Sequence, residues 1–224
     1  MPPVLRAARP FVFPYAALLL TLGALLLLTP PQTAFFWVNA HHSPLGDWFF
    51  GLFTFVGDGA FYVLVSLGLL WVRFRWALLS WASFLLTSAA AQALKRLVFM
   101  GHPRPVSYFS EHPGFPALRL VAGETMNGLH SFPSGHTTTA FSVFVLLSVL
   151  ARRRRWGLLF LLLAVGVAFS RVYLAQHFVE DVLAGSALGT GLTLVVLGWL
   201  GPWLVRHPRP WHEWRLRGRR LISG

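Results

Sequence analysis

The chain has 224 residues, of which 55% are hydrophobic, 15% are aromatic and only 12% are charged, and its formal net charge is +12. Soluble domains carry about 25% charged residues, so this composition indicates an integral membrane protein rather than a soluble enzyme. The absence of cysteine excludes disulfides and thiolate metal sites. The length allows one helical bundle, and residues 1–224 are predicted to form a single transmembrane domain.

Several apolar stretches approach the roughly 20 residues that a helix needs to cross a bilayer. Six membrane-spanning helices are predicted, at Phe11–Thr29, Gly57–Val72, Ala77–Phe99, Thr137–Ala151, Trp156–Arg171 and Val182–Val205. The first stretch has a basic start like that of a signal peptide, but Thr29-Pro30-Pro31 stands where a small-residue cleavage site would be, so we expect a retained helix. The predicted fold is all-α, with six transmembrane helices in one bundle.

Two long segments separate the predicted spans. Residues 30–56 are rich in aromatic side chains near Asp47, which is typical of an interfacial helix and also fits the beginning of the second span. Residues 100–132 are rich in Pro, Gly and His. We expect this second segment to form a periplasmic cap.

The basic residues predict the orientation of the bundle. Of 19 basic residues, 14 lie in groups that flank apolar stretches: Arg6 and Arg9, Arg73 and Arg75, Arg152 to Arg155, and six arginines from Arg206 to Arg220. If the amino terminus is cytoplasmic, all of these are cytoplasmic too, as the positive-inside rule requires. We therefore predict a multi-pass protein of a bacterial inner membrane with both termini inside. Topology explains the net charge, so a nucleic-acid partner is not expected, and the basic tail suits an anionic leaflet.

The segment from Arg171 to Asp181 carries possible chemistry. His177 and Asp181 are four residues apart, so on a helix they share one face. Asp181 can accept a proton from one ring nitrogen of His177, which fixes the tautomer and leaves the other nitrogen free to attack. Arg171 offers a planar fork that matches phosphate oxygens. In isolation, the same residues are also typical of an interfacial histidine beside a helix-capping aspartate.

Two further segments contribute an anion site. Pro133-Ser134-Gly135-His136 opens the fourth span, where free backbone amides can bind an anion. Ser134 adds a hydroxyl or is an ordinary N-cap, Gly135 permits close approach of a ligand, and His136 can act as a general acid. Lys95 and Arg104 add two cations on the outer side, although long basic side chains also extend toward the interface without binding a ligand.

In this order, the three segments resemble the type 2 phosphatidic acid phosphatase family, whose membrane members are lipid phosphate phosphatases. The family pattern is a Lys with a downstream Arg-Pro, then Pro-Ser-Gly-His, then Arg, five residues, His, three residues and Asp. The second and third elements match in full, but eight residues separate Lys95 from Arg104, in place of the usual six. We expect the additional pair to form a bulge near Met100 to His102, and Arg96 or His102 is a candidate to share the role of Lys95.

The resemblance implies a phosphatase that works through a phosphohistidine and needs no metal or other cofactor. His177 would be the nucleophile, Asp181 would orient it, and His136 would protonate the leaving group and then activate water. The phosphoryl oxygens would be held by Lys95, Arg104, Arg171, Ser134 and the amide of Gly135. Three cations can stabilise the charge of a phosphoryl transition state, and no Asp/Glu cluster suited to Mg²⁺ is apparent in the sequence.

The expected substrate is an amphiphile whose phosphate reaches the outer face. Undecaprenyl pyrophosphate is the first choice, and phosphatidylglycerol phosphate, phosphatidic acid and the phosphates of lipid A are rivals. The alternative is a lipid phosphotransferase whose acceptor site is shaped by residues 113–130. A non-enzymatic anion or lipid transporter is disfavoured because we find no convincing internal repeat. Membrane lipids are the other expected partners, and no oligomeric state is assigned.

Several other polar residues receive weaker predictions. His130 is a candidate for lining the pocket, and three residues are candidates for a headgroup contact: His102, His112 and Glu124. The adjacent His41 and His42 are expected at the surface. Asp47 and Asp58 are expected to cap helix starts rather than to take part in catalysis.

Overall fold

The computed structural model of the protein describes residues 3–112, 114–123, 128–151, 153 and 155–216. Within these ranges the regular structure is helical, which confirms the predicted all-α class. The α-helices are α1 (Pro3–Leu28), α2 (Pro31–Ala40), α3 (Pro44–Phe53), α4 (Gly59–Leu70), α5 (Phe74–Ala93), α6 (Pro105–Glu111), α7 (Gly135–Leu150), α8 (Arg155–Tyr173) and α9 (Val179–Arg206).

Each of the six predicted spans falls on one of these helices. By length and composition, α1, α8, α9 and the helix that continues α5 to Val98 can each cross a membrane, and α3 and α4 can do so as one pair bent by 54°. Helix α7 is apolar but shorter, with 16 residues. Helix α1 begins at Pro3 rather than near Phe11, because the helix continues through basic residues that a search for apolar runs leaves out.

Residues 30–56 combine features of both predicted alternatives. They form the separate helices α2 and α3, and α3 then continues through a 3-10 turn, Thr54–Gly57, into α4. Asp58 caps α4 by accepting a hydrogen bond of 2.7 Å from the amide of Ala60, as predicted. Asp47 lies in the first turn of α3. The result is a corner between α3 and α4 rather than a straight second span.

The segment that was expected to form a cap contains α6 and is attached to α2. Asn39 of α2 and the backbone of Arg119 form two hydrogen bonds, of 2.8 and 3.0 Å. The ring of Phe109 in α6 packs against Phe35 of α2 and against Phe178, which precedes α9. These contacts place the described part of this segment beside the beginning of α9.

Two glycines bring α9 close to α7. A Cβ atom at Gly185 would lie only 2.5 Å from the carbonyl oxygen of Ser134, and one at Gly189 would collide with the carbonyl oxygen of Thr138. Small residues permit such close approach between membrane helices. Because Ser134 precedes α7 and Asp181 lies in the first turn of α9, this approach brings the second and third sequence motifs together.

The other end of the bundle is where α5 begins, and there the C-terminal segment packs on the connection between α4 and α5. The carboxylate of Glu213 lies 3.1 Å from Arg73 and 2.9 Å from Arg75. The amide of Phe74 donates a hydrogen bond of 3.1 Å to the carbonyl oxygen of Trp214. The structure describes only some of the other arginines that were predicted to be cytoplasmic. Those outside the described residues are Arg152, Arg154 and the arginines from Arg217 onward.

Candidate active site

The third motif folds into a tight turn between α8 and α9. The carbonyl oxygen of Arg171 accepts hydrogen bonds from the amides of Gln176 and His177, at 3.0 and 3.2 Å. Ala175 has a φ of 53°, a left-handed conformation that residues other than glycine adopt uncommonly. The turn leaves His177 just before α9, whose first turn carries Asp181.

His177 and Asp181 are in direct contact, as their spacing predicts. Nδ1 of His177 lies 3.3 Å from Oδ2 of Asp181, and both side chains are buried. The same carboxylate oxygen accepts hydrogen bonds from the amide of Phe178, at 2.9 Å, and from the hydroxyl of Ser131, at 2.5 Å. If Asp181 accepts the Nδ1 proton, the opposite ring nitrogen, Nε2, keeps its lone pair and can act as a nucleophile.

Ser131 is a member of this cluster that the sequence analysis missed. Its buried hydroxyl lies 3.3 Å from Nδ1 of His177 and donates to Asp181. It is separated from these residues by 46 and 50 positions in the chain, so no periodicity connects them. The one signal available was its place three residues before Ser134.

Burial determines the protonation state of His177. The residue is 1% exposed, and desolvation lowers the pKa of its imidazole to about 3. The carboxylate of Asp181 opposes this shift, and the positive charges of Arg104 and Arg171 reinforce it. The ring is therefore neutral at neutral pH, which is the state that a nitrogen nucleophile requires.

The start of α7 provides donors next to this pair. The amide of Ser134 donates a hydrogen bond of 2.9 Å to the carbonyl oxygen of Asp181. Ser134 also caps α7, since its hydroxyl oxygen accepts from the amide and the hydroxyl of Thr137, at 3.4 and 3.0 Å. The Ser134 side chain is buried, and these bonds use its hydroxyl oxygen rather than its hydrogen. No atom lies within 4 Å of the position that a Cβ atom would occupy at Gly135, so a ligand can approach the backbone there.

Three cations from distant parts of the chain lie near one another, since Lys95 is within electrostatic range of both Arg104 and Arg171. Each donates a hydrogen bond to a protein oxygen: Lys95 to the carbonyl of His130 (2.9 Å), Arg104 to the side-chain oxygen of Gln176 (2.7 Å) and Arg171 to the hydroxyl of Thr54 (2.6 Å). Lys95 and Arg171 are buried, with 8% and 6% exposed. Gln176 and Thr54, which the sequence analysis did not single out, therefore hold the two guanidinium groups in place.

The unusual spacing of the first motif has a local explanation. Lys95 lies in a π-helical turn, Leu94–Val98, which continues α5, and such turns often occur at functional sites. A second turn follows, in which the amide of His102 donates to the carbonyl oxygen of Phe99 at 3.3 Å. Lys95 is buried in this arrangement whereas Arg96 is exposed, which favours Lys95 as the cation of the site.

His136 belongs to the same cluster of charges. It lies within electrostatic range of Lys95, Arg104, Arg171 and Asp58. Its Nε2 atom is 3.8 Å from Oδ2 of Asp58, and its side chain is one-third exposed, so a ligand can reach it. The structure thus brings together the predicted catalytic pair, the three cations, the start of α7 and His136 at one end of the bundle.

The family model of the PAP2 superfamily matches residues 76–204, which include all three motifs. The chain belongs to the PAP2 superfamily. The match and the apolar helices together make it a multi-pass membrane protein of this superfamily.

Two relatives of this PAP2 protein carry names that refer to lipid phosphates. YbjG of Escherichia coli (strain K12), whose assigned activity is that of an undecaprenyl-diphosphatase, is 33% identical over 146 residues, which cover 63% of this chain and 69% of the relative. A lipid A 4'-phosphatase of Bacteroides thetaiotaomicron is 29% identical over 161 residues, covering 67% of this chain and 68% of the relative.

Two crystal structures share the fold. LpxE of Aquifex aeolicus has a TM-score of 0.64 and 24% identity, and the match covers 74% of this chain and 93% of LpxE. The transmembrane PAP2 type phosphatidylglycerolphosphate phosphatase of Bacillus subtilis has a TM-score of 0.57 and 22% identity, with 84% and 94% of the two chains covered.

The weaker sequence candidates of the PAP2 protein have varied surroundings. The carbonyl of His130 accepts the hydrogen bond from Lys95, but its side chain is exposed. His102 packs against Phe99 and Phe132, and His112 stacks on Tyr108. Glu124 lies outside the described residues. Among the residues that the structure describes, no group of three or more His, Asp or Glu side chains could hold a metal ion.

The prediction that His41 and His42 both lie at the surface is half wrong. His41 is exposed. The side chain of His42 is only 6% exposed, because it stacks on Tyr173 and contacts Asp47 at 3.1 Å. This contact ties α3 to the end of α8, so His42 and Asp47 have a structural explanation.

Proposed function

We propose that this protein is a phosphatase of a bacterial inner membrane that hydrolyses a lipid phosphate through a phosphohistidine on His177. One observation carries the proposal: a buried, neutral histidine paired with Asp181 lies in the same cluster as three fixed cations and the open start of α7. The relatives named for undecaprenyl diphosphate and lipid A support a lipid substrate.

In the first step, Nε2 of His177 forms a bond to phosphorus while the bond from phosphorus to the leaving oxygen breaks. His136 gives its proton to that oxygen, so that the lipid leaves as an alcohol, or as a lipid monophosphate when the substrate is a pyrophosphate. Asp181 keeps the Nδ1 proton in place and stabilises the positive charge that develops on the ring, as the aspartate of a serine protease triad does.

In the second step, a water oxygen attacks phosphorus as the bond from phosphorus to Nε2 breaks. His136 takes a proton from this water, and inorganic phosphate leaves. In both steps, negative charge on the phosphoryl oxygens is stabilised by Lys95, Arg104, Arg171, the hydroxyl of Ser134 and the amide of Gly135. Because these groups supply the positive charge, we propose that the reaction does not require Mg²⁺.

We propose undecaprenyl pyrophosphate as the first substrate to test, with phosphatidylglycerol phosphate, phosphatidic acid and the phosphates of lipid A as rivals. An apolar cleft of about 460 Å³ lies between α1 and helices α8 and α9. The cleft does not contain the phosphate-binding residues, but Val172 and Val182 on its wall are the chain neighbours of Arg171 and Asp181. Such a cleft supports a substrate with a long apolar tail.

The proposed topology has six spans in one domain, with both termini in the cytoplasm and the active site facing the periplasm. The groups of arginines at the Glu213 end support this orientation by the positive-inside rule. The cations at the His177 end are then functional exceptions to the rule, since charged side chains at membrane depth usually serve a site.

Phosphotransfer to a second lipid is the alternative reaction on the same scaffold. A phosphohistidine can be attacked by a lipid hydroxyl or phosphate in place of water. In the described parts of the loop between α6 and α7, no feature favours an acceptor lipid over water. Phosphate release in the absence of an acceptor separates the two reactions.

The test is phosphate release by the purified protein in detergent, from each candidate lipid, with excess EDTA. Wild type, His177→Asn and His41→Ala are compared, since His41 is an exposed histidine outside the site. We expect wild type and His41→Ala to release phosphate equally. The His177→Asn protein should lose at least about 1000-fold in kcat, because removing a nucleophile removes the covalent route.

Each outcome bears on a different part of the proposal. Release that survives in His177→Asn contradicts the nucleophile, and release that EDTA abolishes contradicts the metal-independent mechanism. Release that begins only when an acceptor lipid is added favours the phosphotransferase. Rapid quenching with labelled substrate should trap an acid-labile phosphoenzyme in wild type and none in His177→Asn.

A further inference from the structure

We propose that Asp58 is a positioning residue for His136, and that the corner between α3 and α4 belongs to the active site because it holds Asp58 in place. The proposal rests on the proposed function, in which His136 gives and takes the proton. Neither the family pattern nor the sequence analysis includes Asp58 in the site. The evidence is the geometry of three residues in this corner: Thr54, Gly57 and Asp58.

The carboxylate of Asp58 has a fixed orientation. Its Oδ1 atom accepts a hydrogen bond of 2.7 Å from the amide of Ala60, at the start of α4. Its Oδ2 atom faces Nε2 of His136 at 3.8 Å. Because the first contact holds the carboxylate, the second oxygen is already in place to stabilise a protonated imidazole. Nδ1 of His136 then remains as the ring nitrogen that can exchange a proton with the substrate.

The chain approaches His136 closely at Gly57. A Cβ atom at this position would lie 2.9 Å from the carbonyl oxygen of His136 and 3.1 Å from its Cβ atom. It would also lie 2.5 Å from Val167 of α8. A side chain larger than hydrogen would therefore push the corner, and Asp58 with it, away from α7. The same 3-10 turn contacts a second site residue, since Thr54 accepts the hydrogen bond from Arg171.

The charges around His136 explain why a carboxylate is needed there. Among the residues that the structure describes, those within electrostatic range are Lys95 of the π-helical turn, Arg104 before α6, Arg171 of α8 and Asp58 before α4. Burial disfavours an imidazolium most, the three cations add to that effect, and Asp58 alone of these four charged groups opposes it. A general acid must carry its proton when the substrate binds. Asp58 supplies the negative charge that favours the protonated form of His136 before the leaving oxygen takes the proton.

The test compares the pH dependence of kcat for wild type, Asp58→Asn, Asp58→Glu and Asp47→Asn. Asparagine is as good an N-cap as aspartate, so Asp58→Asn removes the charge but keeps the cap. Asp47→Asn is the matched control, because it removes one carboxylate from the first turn of α3 and has no contact with His136.

We expect Asp58→Asn to lower kcat about 10-fold near pH 7.5 and to move the alkaline limb about one pH unit lower, since one unit corresponds to a tenfold change in protonation. KM should stay within about twofold, because Asp58 does not touch the phosphate. Asp58→Glu should restore part of the loss, and Asp47→Asn should match wild type. The deficit should shrink with an aryl phosphate, whose leaving group needs less protonation.

Identical pH profiles for wild type and Asp58→Asn would overturn the proposal while leaving the phosphatase assignment intact. A uniform loss of kcat at every pH, not restored by Asp58→Glu, would also overturn it, because that is the result of a purely structural cap. If wild type released no phosphate from any lipid, the proposed function would fail first. NMR titration of the His136 ring would then still decide the inference, since its midpoint must be lower in Asp58→Asn.

Discussion

The two ends of the bundle use the same residue types in opposite ways. At one end, the carboxylate of Glu213 lies between Arg73 and Arg75, and these three side chains are 54%, 29% and 26% exposed. At the other end, Asp181 is fully buried and lies within electrostatic range of Lys95, and Arg171 is 6% exposed. Exposed ion pairs contribute about 0–1 kcal/mol, whereas buried charges are costly unless they are paired or serve a site.

The partners of the charged groups also differ between the two ends. Glu213 is shared by two arginines at the surface, where water solvates any excess charge. At the His177 end, the buried carboxylate of Asp181 is occupied by His177, Ser131 and the amide of Phe178. The three cations there donate hydrogen bonds to the neutral oxygens of His130, Gln176 and Thr54. The difference between the ends is therefore burial, rather than the number of arginines.

The largest expected difference between the ends is the response to replacing an arginine by lysine. Arg171→Lys keeps the charge but loses the planar fork, and we expect kcat/KM to fall about 100-fold, as when a fixed donor to a developing oxyanion is removed. Arg73→Lys at the Glu213 end is the matched control and should change kcat/KM less than about twofold. Comparable losses in the two variants would show that the ends are not functionally distinct.

Removing the hydroxyl of Ser131 should have the next largest effect. Ser131→Ala leaves Oδ2 of Asp181 with the amide of Phe178 and His177 as its donors. We expect kcat to fall about 10-fold, since a hydrogen bond to a charged group contributes about 1.5–3 kcal/mol and part of that holds the imidazole in its reactive orientation. Steady-state kinetics on the preferred lipid measures the effect. Ser110→Ala, at an exposed position of α6, is the control, and equal activities for the two variants would remove Ser131 from the site.

The sequence predicted those site residues that lie close together in the chain and missed those whose partners are distant in the chain. His177 and Asp181 are four residues apart, and Ser134 and Gly135 are adjacent, so a helix period and a short motif were sufficient to find them. The side-chain partners that the sequence did not reveal lie 46 to 117 positions from the residues they contact; they are Ser131, Thr54, Gln176 and Asp58. They are common polar residue types, and only the packing of the helices reveals their partners.

The fold shows the same limit. Apolar runs placed each of the six predicted spans on a helix, because burial in lipid requires continuous apolar sequence. Of the described helices, four can cross a membrane by length and composition, or five with the bent pair of α3 and α4. They did not predict the 54° bend between α3 and α4 or the π-helical turn at Lys95, since each depends on contacts made after the helices pack. Both irregularities lie at the His177 end, where the candidate site is.

Acidification should lower the free energy of unfolding through the buried His177, and not through an exposed histidine at the Glu213 end. The folded pKa of His177 is about 3, below its ordinary value of 6.5, so the unfolded chain binds this proton more readily. The stability contributed by the neutral ring is fully present above pH 6.5 and is lost progressively as the pH falls toward 3. Between pH 7 and 5.5 we expect a loss of about 1 kcal/mol that His177→Asn does not show.

Thermal unfolding of wild type and His177→Asn in the same detergent at each pH measures this effect. The difference between their two Tm values should change as the pH falls. The histidine at the other end is the control. His207→Asn removes an exposed imidazole near the end of α9, so its Tm should follow the wild-type curve. Parallel Tm curves for wild type and His177→Asn would contradict the neutral, buried state of the ring.

The smallest expected effect is at the Glu213 end. Glu213→Gln removes the carboxylate that Arg73 and Arg75 share, yet the half-exposed side chain should contribute no more than about 1 kcal/mol. Salt screens such pairs, because the Debye length falls to a few ångströms at about 0.5 M NaCl. The small loss of Tm seen in low salt should therefore vanish at that salt concentration. Phosphatase activity should be unchanged at both salt concentrations. A large loss of activity in Glu213→Gln would show that the C-terminal segment acts on the distant site, and the functional separation of the two ends would then be wrong.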